Sequence, residues 1–177
     1  MARYQQGDST AVTTLVNRLS PQLHRFFLAQ FVSRRFADDL LQETWLRIHQ
    51  VRHTYRPGEP VLPWLYAIAR HVRVDHYRKA QRTEIHHRSL DDSPDIPQKL
   101  EHRSAGTPDL EALLANLPES QREVVAMLKL AEMSLEEVAR ATASSVGSVK
   151  QKAHRAYENL RQRLSELGIR SAKGGPA

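Results

Sequence analysis

Apolar residues recur three and four positions apart along most of the chain, and almost no segment shows the strict alternation of a half-buried strand. The pattern predicts helices throughout and no sheet. In the first half, Asp8 is placed to cap a helix carrying Val12, Leu15, Val16 and Leu19. Ser20-Pro21 then predicts a restart into a second helix with Leu23, Phe26, Phe27 and Phe31. A third helix is expected over about residues 37–51, with Leu40, Leu41, Thr44, Trp45 and Ile48 inward. A fourth is expected over about residues 63–82, with Leu65, Ile68, Ala69 and Val72 inward. Arg56, Pro57, Gly58 and Pro60 mark the loop between them.

Residues 83–107 break this periodicity. They hold Asp91, Asp92, Asp95 and Glu101 together with Pro94, Pro97 and Gly106, which predicts a flexible acidic linker. Beyond it, Thr107-Pro108 reads as a cap followed by proline at the first helical position, with Leu110, Leu113, Leu114 and Leu117 at helical spacing. Ser134 and Glu137 form a capping-box pattern opening a short helix through Leu135, Val138 and Ala139, and Ala143, Ser144 and Ser145 are placed to turn it. A last helix starts near Val146, with Val149, Ala153, Ala156, Tyr157, Leu160 and Leu164 on one face. A short helix, a tight turn and a long basic helix make a helix-turn-helix pattern. The expected architecture is all-α: a helical domain over residues 1–82, the linker over 83–107, a helix-turn-helix domain over 108–167 and a tail over 168–177.

Composition narrows the chemistry. With 177 residues the chain has room for one ordinary domain or two small ones. It contains no cysteine, which removes disulfides, thiolate catalysis and cysteine-ligated metal centres together. Residues 61–69 form the longest apolar run, interrupted by Pro63 and far short of a spanning helix, so a cytoplasmic protein is expected. Lys and Arg outnumber Asp and Glu by 26 to 20. The excess sits in two runs: Arg70, Arg73, Arg78, Lys79 and Arg82, then Lys150, Lys152, Arg155, Arg161 and Arg163. Two basic patches about a mildly acidic middle favour a polyanionic partner.

Each patch has a chemistry of its own. With Val149 and Ala153 inward, Ser148, Lys150, Gln151, His154 and Arg155 lie on the outer face and flanks of the last helix. An arginine can donate a bidentate pair to guanine and a glutamine can pair with adenine in the major groove, each such pair giving about 1 to 3 kcal/mol of discrimination. The first patch is interleaved with Tyr55, Trp64, Tyr66 and Tyr77, a mixture suited to unpaired bases and their phosphates. Trp64 reads as core, whereas Tyr55 and Tyr66 are open between stacking a base and filling a small core. Asp38, Asp39 and Glu43, with Gln42 and Leu46 beside them, make an acidic surface that would repel DNA and suits a basic protein partner.

Taken together, these segments resemble bacterial sigma factors of the extracytoplasmic-function (ECF) type, which retain regions 2 and 4. The motifs are DDLLQETWLRIHQ from Asp38, PWLYAIARHVRVDHYRKAQR from Pro63, and LPESQREVVAMLKLAEMSLEEVARA followed by VGSVKQKAHRAYENLRQRL. The resemblance implies a non-enzymatic factor with no cofactor and no small-molecule substrate. It would lend promoter specificity to core RNA polymerase and help to melt DNA. Asp39, Gln42, Glu43 and Leu46 would contact the polymerase, whose beta-prime coiled coil and beta subunit are the implied partners. Tyr55 and Tyr66 would line a pocket for a flipped −10 base, with His71, Arg73 and Arg78 on the same −10-reading helix. Ser148, Lys150, Gln151, His154 and Arg155 would read the −35 element as duplex. An anti-sigma factor, often membrane-anchored, is the further implied partner.

The sequence departs from the family at three positions. His71 stands where asparagine is usual, so the family's −10 base preference need not carry over. Ala143 stands where a turn glycine is common, and Thr142 where leucine is usual, which predicts a less stable turn. The linker has reach enough: two promoter elements one to two turns apart span roughly 35 to 70 Å, and 25 extended residues reach roughly 80 Å.

Two other classes fit parts of the chain. A stand-alone helix-turn-helix regulator accounts for the second half only. A metal-dependent enzyme is suggested by nine histidines, among them His49 and His53 one turn apart and the pair His86-His87. HExxH, Walker and GxSxG motifs are absent, however, and neither cluster brings a carboxylate set to complete a metal site.

Overall fold

The computed structural model describes residues 1–30, 34–87 and 110–166. Eight α-helices follow one another in these residues, with no strand among them: α1 (Ala2–Gln5), α2 (Ser9–Leu28), α3 (Arg34–Val51), α4 (Val61–His87), α5 (Leu110–Ala115), α6 (Glu119–Lys129), α7 (Leu135–Ala141) and α8 (Val146–Glu166). A 3₁₀ turn, Arg52–Thr54, ends α3. The Thr107-Pro108 cap, the acidic residues between 91 and 101 and the tail from residue 168 lie outside the described residues.

Asp8 caps α2 as its position predicts, its Oδ1 accepting from the Ala11 amide at 3.0 Å. That bond and Arg3 hold the Asp8 carboxyl below the usual carboxylate range. The expected restart at Ser20-Pro21 does not occur: α2 runs on for 20 residues with Pro21 inside it. An interior proline removes one helical hydrogen bond and crowds the preceding turn, at a cost of about 3 kcal/mol. Here Leu19, Leu23, Phe26 and Phe27 form one continuous buried stripe across it, and burying such side chains is worth about 1.5 to 3 kcal/mol each. Packing therefore outweighs the local break. Ser20, expected to start a new helix, instead accepts a 2.9 Å bond from the Trp45 indole of α3.

The inward positions expected of α3 and α4 are where the core is. Leu40, Thr44, Ile48, Leu65, Ala69 and Val72 are all buried, and Phe26 sets its ring edge-on to Tyr66 at 5.2 Å. Trp64, read as core, is only half-buried; its indole donates to Thr54 Oγ1 and its ring meets Tyr55 edge-on at 5.5 Å. The helix also passes the predicted boundary at residue 82 and continues to His87. Thr83 to His87 contain neither glycine nor proline, so nothing local stops it.

In the second half, α6 and α7 pack on α8. The capping box is complete, with Ser134 Oγ accepting from the Glu137 amide at 3.1 Å and Glu137 Oε2 from the Ser134 amide at 2.9 Å. Beyond α7 the Ser144 amide reaches the Ala139 carbonyl at 2.9 Å and the Ala143 amide the Arg140 carbonyl at 3.3 Å. This is the Schellman arrangement, whose pivot residue must be left-handed. Ala143 fills that pivot at φ 50°. Ser145 then caps α8, accepting from the Ser148 amide at 3.1 Å.

Both halves contribute to one apolar core, from Tyr4, Leu23 and Tyr66 through Leu114 and Val125 to Val149 and Ala156. The second half is thus packed on the first, with α4 against α7.

The pivot gives a direct test. Relief of the left-handed alanine is worth about 1 to 2 kcal/mol and the greater freedom of unfolded glycine takes back about 0.4 to 1. Ala143→Gly should therefore raise the thermal midpoint by a few degrees in calorimetry, and Ala143→Val should lower it.

Candidate nucleic-acid and partner surfaces

The face of α8 opposite its buried residues is the first surface. Val149, Ala153 and Ala156 are buried, whereas Lys150, Gln151, His154 and Arg155 are exposed and Ser148 is half-buried near the start of the helix. All five expected base-reading residues thus share one accessible side. Their approach is fixed from behind by α6, where Gln121 Oε1 accepts from Asn159 Nδ2 at 3.0 Å and the Lys129 ammonium lies 6.0 Å from the Tyr157 ring centroid. Glu158 stands one turn beyond His154, with its carboxylate 3.2 Å from His154 Nε2.

The second surface is on α3. Asp39, Gln42, Glu43 and Leu46, spaced three and four apart, form one exposed stripe opposite the buried Ala37, Leu40, Thr44 and Ile48. Leu46 is 53% exposed, an apolar side chain left open among acids. Asp38 is engaged separately, with one carboxylate oxygen 2.9 Å from His24 Nε2 of α2.

The third surface, on α4 and the loop before it, is partly closed. His71 and Arg78 are exposed. Tyr55 is 8% exposed beneath residues 56–60, its hydroxyl donating to the Glu59 carbonyl. Tyr66 is 1% exposed; burial in the core pushes its phenol well above the ordinary tyrosine range and leaves the hydroxyl without a hydrogen-bond partner. In this arrangement Tyr66 packs rather than stacks. A shallow groove of about 290 Å³ lies beside Tyr55 and Trp64, with Arg140 of α7 on its rim.

What closes this surface is an ion-pair cluster that the sequence pattern did not reveal. Glu123 of α6, 8% exposed, has Oε1 2.8 Å from Arg70 Nε and 3.3 Å from Arg73 Nη2. Arg73 Nη1 also donates to Glu119 Oε1 at 2.6 Å, which leaves the arginine 13% exposed. Arg140 approaches Glu59 of the loop at 3.5 Å. Beneath the cluster, burial pushes the Arg122 guanidinium down to about 10, with Glu119 opposing the shift and Arg73 adding to it. At neutral pH Arg122 keeps its proton, donating to the Ala115 carbonyl at 3.4 Å. Glu119 and Glu123 open α6 one turn apart, a spacing visible in the sequence, but their partners lie some 50 residues away and no local periodicity reports them. Among the described residues no group of three or more His, Asp or Glu is placed to hold a metal ion, and no helix is long and apolar enough to cross a membrane.

A helix-turn-helix with an open polar and basic face, set beside a helical module that bears an acidic stripe, defines an all-helical DNA-binding protein of two modules. Comparison with known proteins is more specific. Residues 15–83 match the family model for sigma-70 region 2 and residues 108–160 the model for sigma-70 region 4. The RNA polymerase sigma factor CarQ of Myxococcus xanthus is 32% identical over 98% of this chain and 100% of its own length. The ECF RNA polymerase sigma factor SigF of Caulobacter vibrioides is 33% identical over 93% of this chain and 91% of its own. Two solved structures share the fold: sigma factor RpoE of Bartonella quintana bound to the anti-sigma factor NepR, and CnrH bound to the cytosolic domain of CnrY. The first has a TM-score of 0.71 at 21% identity and covers 86% of this chain and 96% of that one; the second has 0.70 at 23% and covers 93% and 94%. The chain belongs to the sigma-70 family and is an RNA polymerase sigma factor of the ECF type.

The ion-pair cluster predicts a salt-sensitive arrangement. Because the chain has no cysteine, dyes can be attached at Gln50→Cys and Gln162→Cys alone. Energy transfer between them should fall on paired substitution Glu119→Gln and Glu123→Gln, and also as salt is raised, since the more exposed pairs are screened. Transfer unchanged in both cases would show that the apolar contacts alone hold the halves together.

Proposed function

We propose that this sigma factor binds core RNA polymerase through the α3 stripe of Asp39, Gln42, Glu43 and Leu46, reads the −35 element with α8, and engages the −10 element from α4 and its preceding loop. The observation that carries the reading is the accessible face of α8. Ser148, Lys150, Gln151, His154 and Arg155 present groove-reading groups on one side while a capped turn and a buried opposite face fix the helix. Residues 1–82 act as the polymerase and −10 module, residues 108–167 as the −35 module, and residues 83–107 span between them, beginning as the end of α4. The chain carries out no catalysis and works in the cytoplasm, where the polymerase it serves does the chemistry. An anti-sigma factor is the further partner, in keeping with the complex with the anti-sigma factor NepR in which one of the similar structures was solved.

The −10 contact needs the described arrangement to change. His71 and Arg78 are accessible as they stand, whereas Arg73 is committed to Glu119 and Glu123. DNA phosphate and these carboxylates compete for the same guanidinium, so α6 must withdraw before Arg73 tracks the strand. Tyr55 then forms the wall facing an unpaired base and Tyr66 supports it from the core.

Transcription in vitro with sigma-free core polymerase and a library of promoter fragments tests the reading. Defined start sites should appear only with the protein added. Arg155→Ala and Gln151→Ala should each reduce −35-dependent initiation by about fivefold to a hundredfold, the value of a bidentate base contact. Leu46→Asp should abolish core binding without changing helix content. If no start sites appear while duplex DNA is still retarded, the protein is a stand-alone regulator.

Freeing the arginines gives a second test. Glu119→Gln with Glu123→Gln should raise the affinity of the polymerase-free chain for single-stranded −10 DNA by about tenfold or more, the usual scale for a desolvated charge pair. Equal anisotropy titrations for variant and parent would show that the carboxylates do not gate this surface.

A further inference from the structure

The first helix, α1, precedes the region that matches the family model, which starts at residue 15, yet it is tied into the −10 module at several points. The Tyr4 ring is 4% exposed and its hydroxyl lies 3.0 Å from His49 Nδ1 near the end of α3. Gln5 goes further. Its Nε2 donates to the Arg52 carbonyl at 2.7 Å and to the Tyr55 carbonyl at 2.8 Å. A side-chain amide has two N–H donors, and both are used here on backbone some 50 residues away. The handover from α1 to α2 is itself fixed, by Gly7 at φ 87° and by the 2.6 Å ion pair from Arg3 to Asp8, the cap of α2.

Of the two carbonyls that Gln5 holds, that of Arg52 also accepts from the Tyr55 amide at 3.3 Å and closes the 3₁₀ turn, whereas that of Tyr55 lies just beyond the turn. The Tyr55 carbonyl also belongs to the peptide plane from which residues 56–60 depart. Each residue of that loop is exposed, it turns through Gly58 at φ 93°, and its ties are few: the Glu59 amide to the Arg56 carbonyl at 3.2 Å, the Tyr55 hydroxyl to the Glu59 carbonyl, and the exposed Arg140–Glu59 pair at 3.5 Å. Gln5 fixes the departure of the loop from outside, as the Tyr55 hydroxyl fixes its far end from inside.

We infer that Gln5 is a positioning residue for the −10-reading loop, presetting Tyr55 and residues 56–60 for an unpaired base. The inference rests on the −10 assignment proposed above. A loop ordered before it meets its ligand loses less freedom on binding, so the effect belongs to strand capture and not to duplex binding at −35 or to polymerase affinity.

The experiment uses full-length chain in holoenzyme, with Gln5→Ala, Gln5→Glu and Gln5→Lys. Open-complex formation is compared on the preferred −10 element and on single-base substitutions of it, alongside core affinity, binding to a −35 duplex and thermal midpoint. Gln5→Ala should lower open-complex formation by about threefold to tenfold, as expected for one or two neutral hydrogen bonds, and narrow the discrimination among −10 bases. Gln5→Glu, which sets a carboxylate against two carbonyls, should lose more. Gln5→Lys keeps donors within reach and should recover part of the discrimination. The inference is overturned if Gln5→Ala and Gln5→Glu discriminate −10 bases as the parent does. It is also overturned if their losses follow core affinity or thermal midpoint without rescue by lysine. A parent protein that directs no initiation at all would instead sink the −10 assignment.

Discussion

The carboxylate of Glu123 sits between Arg70 and Arg73 and, with Glu119 on Arg73 and Arg140 on Glu59, ties the second module to the first. Taking a carboxylate out of water costs several kcal/mol, and only well-placed cations restore it. Glu123 has two. Such clusters add little net stability over an apolar contact of the same size, but they tolerate the loss of one partner poorly. One apolar core spans both halves, while the ion pairs join the first turns of α6 to α4.

This division of labour accounts for a difference in openness among the three surfaces. The α8 face and the α3 stripe are exposed because neither is needed to hold the halves together. The α4 surface is partly covered because Arg70 and Arg73 are paired with carboxylates of the same chain; in the function proposed above, a DNA phosphate would take the place of those carboxylates on Arg73. That exchange would replace one negative group by another, so the site would never hold an uncompensated cation.

Much of this was legible in the sequence, and most of the failures share one cause. Periodicity located the long helices, the capping box at Ser134 and the exposed face of α8, because each is a relation between residues within a few turns. The left-handed pivot at Ala143 was visible as a missing glycine. What was missed depends on residues far apart. Pro21 looked like a break until the stripe from Leu19 to Phe27 found α3 and α4 to pack on. Tyr66 could stack or pack until Phe26 was set against it. Glu123 and Gln5 gave no local signal because their partners lie about 50 positions away. The family resemblance supplied the modules and their order, but not the contact between them.

Leu46 has a kinetic side. In the stripe proposed to meet polymerase it is the apolar member, with Asp39 and Glu43 as its charged neighbours. Long-range charge speeds encounter and fades with ionic strength, whereas a desolvated apolar contact mainly sets how long a complex lasts. The stripe thus separates arrival from dwell time. A change in cellular ionic conditions would alter how quickly this sigma factor competes for free polymerase while leaving the lifetime of each complex nearly constant.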